Sequence, residues 1–281
     1  MPRKTLVCVI AETREAEVVW DSFKKNVIDV LDADLAVCVA TPPNYDYDNP
    51  YWVNAKYKWT SPEYENWADA VEFARQTDYP EANDDWKILL NIPDNWIAPI
   101  NGHKGAGGIL LFFRWLLMHN LKKEDIFKTY DRIIVTRSDY MFLCPHPPVE
   151  MLDPNYVWIP EGEQHHGMTD RYAILSEKNA YAYLSVFKNI ICNPHKLAHI
   201  LLGWSNLERI LKTNLDIETG KSDNTKFFPF IMYSVRSIGT KTRWAEGIWH
   251  DDLGYSVKYD IEYKQAKHWA NIYKTKEDWL K

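Results

Sequence analysis

The stretch TLVCVIAETREAEVVWDSFKKNVIDVLDADLAVCVA, Thr5 to Ala40, decides the fold. Its first seven residues are apolar and rich in β-branched side chains, so they read as a buried strand. Val18, Val19, Phe23, Val27, Ile28 and Leu31 then recur at helical spacing, and ADLAVCVA (33–40) returns to a buried strand. A strand, helix, strand unit of this length implies a parallel pair joined by a right-handed crossover. Downstream, WKILLNIP (86–93), RIIVT (132–136) and VWIP (157–160) read as further strands, and KFFPFIMYSVRSIG (226–239) as an edge strand. Helical patterns cover 67–76, the glycine-led run 105–118, 177–191 and 195–214. Residues 41–68 form a proline- and aromatic-rich excursion. The alternation predicts one α/β domain over 1–281 with a mostly parallel sheet flanked by helices.

Composition narrows the function. The formal charge of -6 offers no general basic face for nucleic acid. The thirteen Trp and seventeen Tyr suggest that some rings stack on sugars, with Trp52, Trp59, Trp67, Trp244 and Trp249 as candidate walls. Cys8, Cys38, Cys144 and Cys192 show no metal-ligand spacing and are expected to be buried free thiols of a reducing compartment. The apolar start is followed at once by Glu12, Arg14 and Glu15, unlike a signal peptide. GILLFFRWLLMH (108–119) is too short to span a bilayer and carries Arg114. The expectation is a soluble, cytoplasmic protein with no transmembrane segment.

In open α/β sheets, ligands bind beyond the carboxyl ends of the strands. RIIVT ends in Arg137, Ser138 and Asp139, which places a carboxylate at such an end. Two readings compete: a turn-capping Asp139 paired with Arg137, or a ligand-binding acid. The order of YDRIIVTRSDYMFLCPHP (130–147), VWIPEGEQHHGMTDRYAILS (157–176), SFKKNVID (22–29) and GAGGILLFFRWLL (105–117) resembles GT-A-type glycosyltransferases. The likeness is to those of bacterial surface-polysaccharide clusters and of large algal viruses, and it covers most of residues 5–190.

That resemblance implies a GT-A-like, Rossmann-like fold, with a nucleotide-sugar-binding half over 1–140 and an acceptor-binding half with a tail over 141–281. It implies a UDP-linked donor, with UDP-xylose as one option, and an oligosaccharide or glycoprotein acceptor such as a capsid glycan. It implies Mn²⁺ or Mg²⁺ held by Asp139, although Arg137 stands where such motifs usually carry a first acid. His250 and Asp252 of the tail IWHDDLGYS are the expected further metal ligands. Glu12, Thr13 and Arg14 would contact the nucleoside, while Lys104, Arg137 and Arg171 supply positive charge for the phosphates. Asp170, then Glu163, are the expected bases that take the acceptor's proton, giving inversion by direct displacement. Each has a plain alternative as a local cap or ion pair. Two other classes stay open: a non-catalytic carbohydrate-binding protein, and a metal-dependent phosphohydrolase. A P-loop is excluded because GHKGAGG (102–108) lacks the terminal Gly-Lys-Ser/Thr. His165 and His166 have no partner at zinc spacing.

Overall fold

In the computed structural model, which describes residues 4–92, 97–103, 105–201, 204–239, 245 and 247–281, Thr5–Ala40 folds as its pattern requires. Strands β1 (Thr5–Ala11) and β2 (Asp34–Ala40) pair in parallel. The crossover between them comprises α1 (Ala16–Phe23), a π-helical turn at Lys24–Ile28 and α2 (Asp29–Leu31). The remaining helices are α3 (Pro50–Asn54), α4 (Ala68–Asp78), α5 (Gly107–Lys123), α6 (Glu177–Leu184), α7 (Val186–Cys192), α8 (Pro194–Ile200), α9 (Leu207–Thr219) and α10 (Asp260–Ala270).

The main sheet has seven strands in the order β3-β2-β1-β4-β7-β6-β8, with β3 at Tyr57–Ser61, β4 at Arg132–Thr136, β6 at Val157–Pro160, β7 at Tyr172–Leu175 and β8 at Thr225–Phe228. Only β7 runs against the others, pairing antiparallel with both β4 and β6. A smaller sheet, β10-β11-β9-β5, joins β5 (Tyr140–Phe142), β9 (Met232–Arg236), β10 (Ile248–His250) and β11 (Tyr255–Val257). The expected mostly parallel sheet flanked by helices is therefore present.

Alternation along β1 divides the core. Leu6, Cys8 and Ile10 face one cluster with α4, α5, α6, α7 and α9. Val7 and Val9 face the other, with α1, α3, α10, β5 and β9. Helix α5 is buried on most of its circumference, because the sheet and α4, α6 and α7 surround it. Its Arg114 is fully buried; Nη1 donates to Leu110 O (2.9 Å) and Nη2 to the backbone oxygen of Asp170 and the Tyr183 hydroxyl, while Nε is buried without a partner among the described residues.

Some elements differ from expectation. WKILLNIP does not form a strand: Asp85–Asn91 is a 3-10 helix that buries Trp86, whose indole donates to Glu72 (2.9 Å). A short apolar run without alternation does not distinguish the two. The third parallel strand is instead YKWTS, inside the proline-rich excursion, where its half-exposed alternation suits an edge. Helix 177–191 breaks at Ser185, and 195–214 contains two helices. Cys8, Cys38 and Cys144 are buried and free as expected, but Cys192 is exposed. Among the described residues no helix is long and apolar enough to cross a membrane.

A buried amide ladder ties α9 to its neighbours: Asn189 donates to Asn214 Oδ1 (2.8 Å) and Asn214 to Ala182 O (2.8 Å). Asn214→Ala takes the donor from buried Ala182 O and one acceptor from Asn189, which keeps its bond to Glu218 Oε1 (2.8 Å). The expected cost is about 1–3 kcal/mol, seen as a lower midpoint in urea with an unchanged slope; an unchanged midpoint would refute the ladder's role.

Candidate functional site

Strand β4 ends at Thr136, and the chain leaves the main sheet through Arg137, Ser138 and Asp139 to enter β5 of the smaller one. Asp139 sits at that junction, and its backbone oxygen accepts Val235 N–H (3.0 Å). Its side chain is fully buried. Arg137 donates to both of its oxygens (2.9 and 2.6 Å), Arg236 Nη1 donates to Oδ2, and Arg14 Nε lies 3.3 Å from Oδ2. Burial alone would raise this carboxyl, but the guanidinium groups of Arg137, Arg14 and Arg236 outweigh it and hold it well below the usual carboxylate range. The pairing with Arg137 weighed from spacing is thus present, within a larger cluster. Ser138 donates to Arg14 O (2.9 Å), and Tyr51 donates to Ser138 O (3.0 Å), fixing the turn against the end of β1.

Positive charge exceeds this one acid. Lys258, just beyond β11, is 8% exposed, and its ammonium has no hydrogen bond or ion pair among the described residues. It rests 4.9 Å from the Tyr259 ring, and Arg171 lies over the same ring at 4.7 Å. Burial, then the charges of Arg137, Arg236 and Arg171, push Lys258 down to about 7, with Asp139 opposing. Arg236 Nε is buried without a partner.

Because β7 runs antiparallel, its amino end lies beside the carboxyl end of β4, with Tyr172 opposite Thr136. The loop from Glu161 to Arg171 therefore ends beside the carboxyl end of β4. The loop is strained: Glu163, His165 and His166 all have φ between 41° and 66°. Three contacts strap it to α9. Asn206 Nδ2 donates to His165 O (2.8 Å), Met168 N–H donates to Glu208 O (3.1 Å), and Gly167 lies so close that a Cβ there would stand 2.1 Å from Glu208 O. Glu163 meets His165 (2.8 Å) and Arg171 (3.4 Å), while Arg171 also bonds buried Glu262 and lies 3.8 Å from Asp170. Glu208 is raised to about 7, first by burial and then by the charge of Asp170. The structure thus brings the two expected bases together and adds Glu208 beside them.

A cleft of about 350 Å³ opens at the end of β1, lined among others by Thr13, Arg14, Glu15, Asp46, Asn49 and Ser237. Glu15, held at φ 59°, accepts from Ser237 N–H (2.9 Å). Glu12 is exposed and ion-pairs with Arg14 (3.3 Å). Lys104 and Trp244 lie outside the described residues.

The expected metal set does not fit. Both Asp139 oxygens are engaged by guanidinium groups. His250 packs 5.3 Å from the Tyr263 ring and is 4.0 Å from Asp252, and neither makes a contact with Asp139. No group of three His, Cys, Asp or Glu side chains that could hold a metal occurs among the described residues. Of the expected sugar-stacking rings, Trp59 and Trp67 are core residues, whereas Trp249 is exposed and Trp52 packs with Tyr45 and Tyr47.

Sequence reasoning missed Arg236, Lys258, Glu208 and Glu262. An arginine inside the apolar run IMYSVRSIG was a usable signal for Arg236. The other three carry none, because only the packing of β11, α9 and α10 brings them here.

No protein-family model matches this sequence, and no curated protein is similar to it. Among the solved structures similar in shape is mouse xyloside xylosyltransferase 1 in its apo form, 8% identical, with a TM-score of 0.43 over 81% of this chain and 85% of that one.

Proposed function

We propose that this chain is a glycosyltransferase that moves a sugar from a nucleotide sugar, UDP-linked, to a glycan acceptor with inversion. The observation that carries the reading is the cation cluster at the carboxyl ends of β1 and β4: Arg14, Arg137, Arg236 and the counter-ion-free Lys258. Buried positive charge in excess of its acids calls for an anionic ligand, and a diphosphate supplies one. The cleft beside Arg14 is where a nucleoside would extend, along Thr13, with Glu12 next to it in the chain.

In the reaction, the bond from the anomeric carbon to the diphosphate oxygen breaks and its electron pair leaves with the diphosphate. The acceptor oxygen bonds to that carbon from the opposite side and loses its proton to a carboxylate. Asp170 is the better base, since Glu163 is committed to His165 and Arg171. A groove of about 420 Å³ lined by Glu161, Gln265, His268 and Trp269 pairs a ring face with polar groups and suits the acceptor glycan.

The test is transfer assayed over a panel of nucleotide sugars, UDP-xylose included, with oligosaccharide acceptors. Asp170→Asn is expected to lower transfer by about 10²–10⁴-fold while leaving nucleoside diphosphate binding intact. No turnover with any donor would overturn the reading.

A further inference from the structure

We infer that Lys258, together with Arg14, Arg137 and Arg236, neutralises the leaving diphosphate, and that no divalent cation bridges it to the protein. This rests on the glycosyltransferase reading and specifies how its donor is held. Three observations support it. Asp139, the acid best placed to hold a metal, is saturated by three guanidinium groups and has no exposure. Those same arginines are fixed by Asp139, so their geometry is set before any ligand arrives. Arg137 and Arg236 are themselves held with side-chain exposures of 14% and 3%, whereas Arg14, at 36%, reaches the cleft.

Lys258 is the group that a purely structural account leaves unexplained. A lysine only 8% exposed, with no counter-ion on its ammonium among the described residues and with Arg137, Arg171 and Arg236 raising the local positive charge against Asp139, destabilises the empty protein. The lowered proton affinity of its amine comes first from burial and then from the same repulsion. A diphosphate would relieve it, supplying the negative charge that the site lacks. When the anomeric carbon–oxygen bond breaks, the electron pair arriving on the diphosphate is met by these fixed cations, and the acceptor's proton leaves separately to Asp170.

The experiment is calorimetric titration of UDP, GDP, ADP and CDP into the protein in EDTA and again with Mn²⁺, with Lys258→Met and Lys258→Arg alongside. One diphosphate is expected to bind in EDTA, with Mn²⁺ changing its Kd by less than about threefold. Lys258→Met is expected to weaken it by about tenfold or more, and Lys258→Arg to retain most of the affinity. Without ligand, Lys258→Met should melt at or above the native temperature, which a structural lysine would not permit. Binding that appears only with Mn²⁺, or Lys258→Met binding as the native chain does, overturns this inference and leaves the glycosyltransferase reading standing. Failure of every diphosphate under both conditions sinks both.

Discussion

Asp139→Ala is expected to destabilise the protein by about 3–5 kcal/mol, lowering Tm by about 10 °C. The side chain has no exposure, and its two oxygens gather Arg137, Arg236 and Arg14. Removing it leaves Arg236, with a side chain 3% exposed, and Arg137, at 14%, without this counter-charge. Asp139→Asn keeps the volume and one acceptor but not the charge, so its loss should be smaller and of the same sign. The pH dependence follows from the depressed carboxyl. In the unfolded chain the group titrates at about 3.9, and in the folded chain well below that. Its stabilisation is therefore complete above the unfolded value and fades as pH falls below it. Melting curves should show the gap between native chain and Asp139→Asn wide at pH 6 and narrower at pH 3. An exposed metal ligand would behave differently, since its removal would leave the metal-free Tm unchanged or higher. A Tm for Asp139→Ala within a degree of the native value would discard the buried cluster.

What the sequence disclosed depended on the range of the interaction involved. Thr5–Ala40 announced its strands and crossover because apolar periodicity is local, and Asp139 was found because RIIVT fixed where a strand stops. The β3 edge strand was hidden, since YKWTS shows its alternation only once its pairing with β2 exposes one face. The partners of Asp139 were only partly visible. Arg137 is its neighbour in sequence, but Arg236 lies 97 residues on and reaches it through the pairing of β5 with β9. The expected metal set is not gathered around Asp139 for that reason: the sequence showed an acid at a strand end without the cations that other segments bring to it. Glu163 and Asp170 were legible as a loop beyond a strand, whereas Glu208 belongs to a helix that meets them only through the strap on α9.

Gly167→Ala is expected to lower sugar transfer by about 10²-fold while costing the fold only about 1–3 kcal/mol. The glycine is required by contact and not by its dihedral angles: its φ lies outside the left-handed region, yet a Cβ would meet Glu208 O at 2.1 Å, Glu208 C at 2.2 Å and Arg209 N at 2.4 Å. These are backbone atoms of the first turn of α9, which Asn206 caps by accepting from Arg209 N–H (2.8 Å), so the helix has little freedom to yield. The loop must lift instead. Lifting breaks the Met168 N–H bond to Glu208 O and frees the strained residues Glu163, His165 and His166 to relax. Asp170 is restrained separately by Arg114, which bonds its backbone oxygen from α5, so the damage should centre on Glu163 and on the spacing between Asp170 and Glu208. Arg14, Arg137, Arg236 and Lys258 stand on other segments, so nucleoside diphosphate affinity should stay within about threefold of native. Proteolysis should cut faster between residues 161 and 167, because the straps no longer hold that backbone down. Asn206→Ala removes one strap without a clash and should give the same pattern more weakly. If Gly167→Ala instead loses diphosphate binding in step with transfer, the loop and the cation cluster are one cooperative unit, and the division of labour between Asp170 and the arginines is wrong.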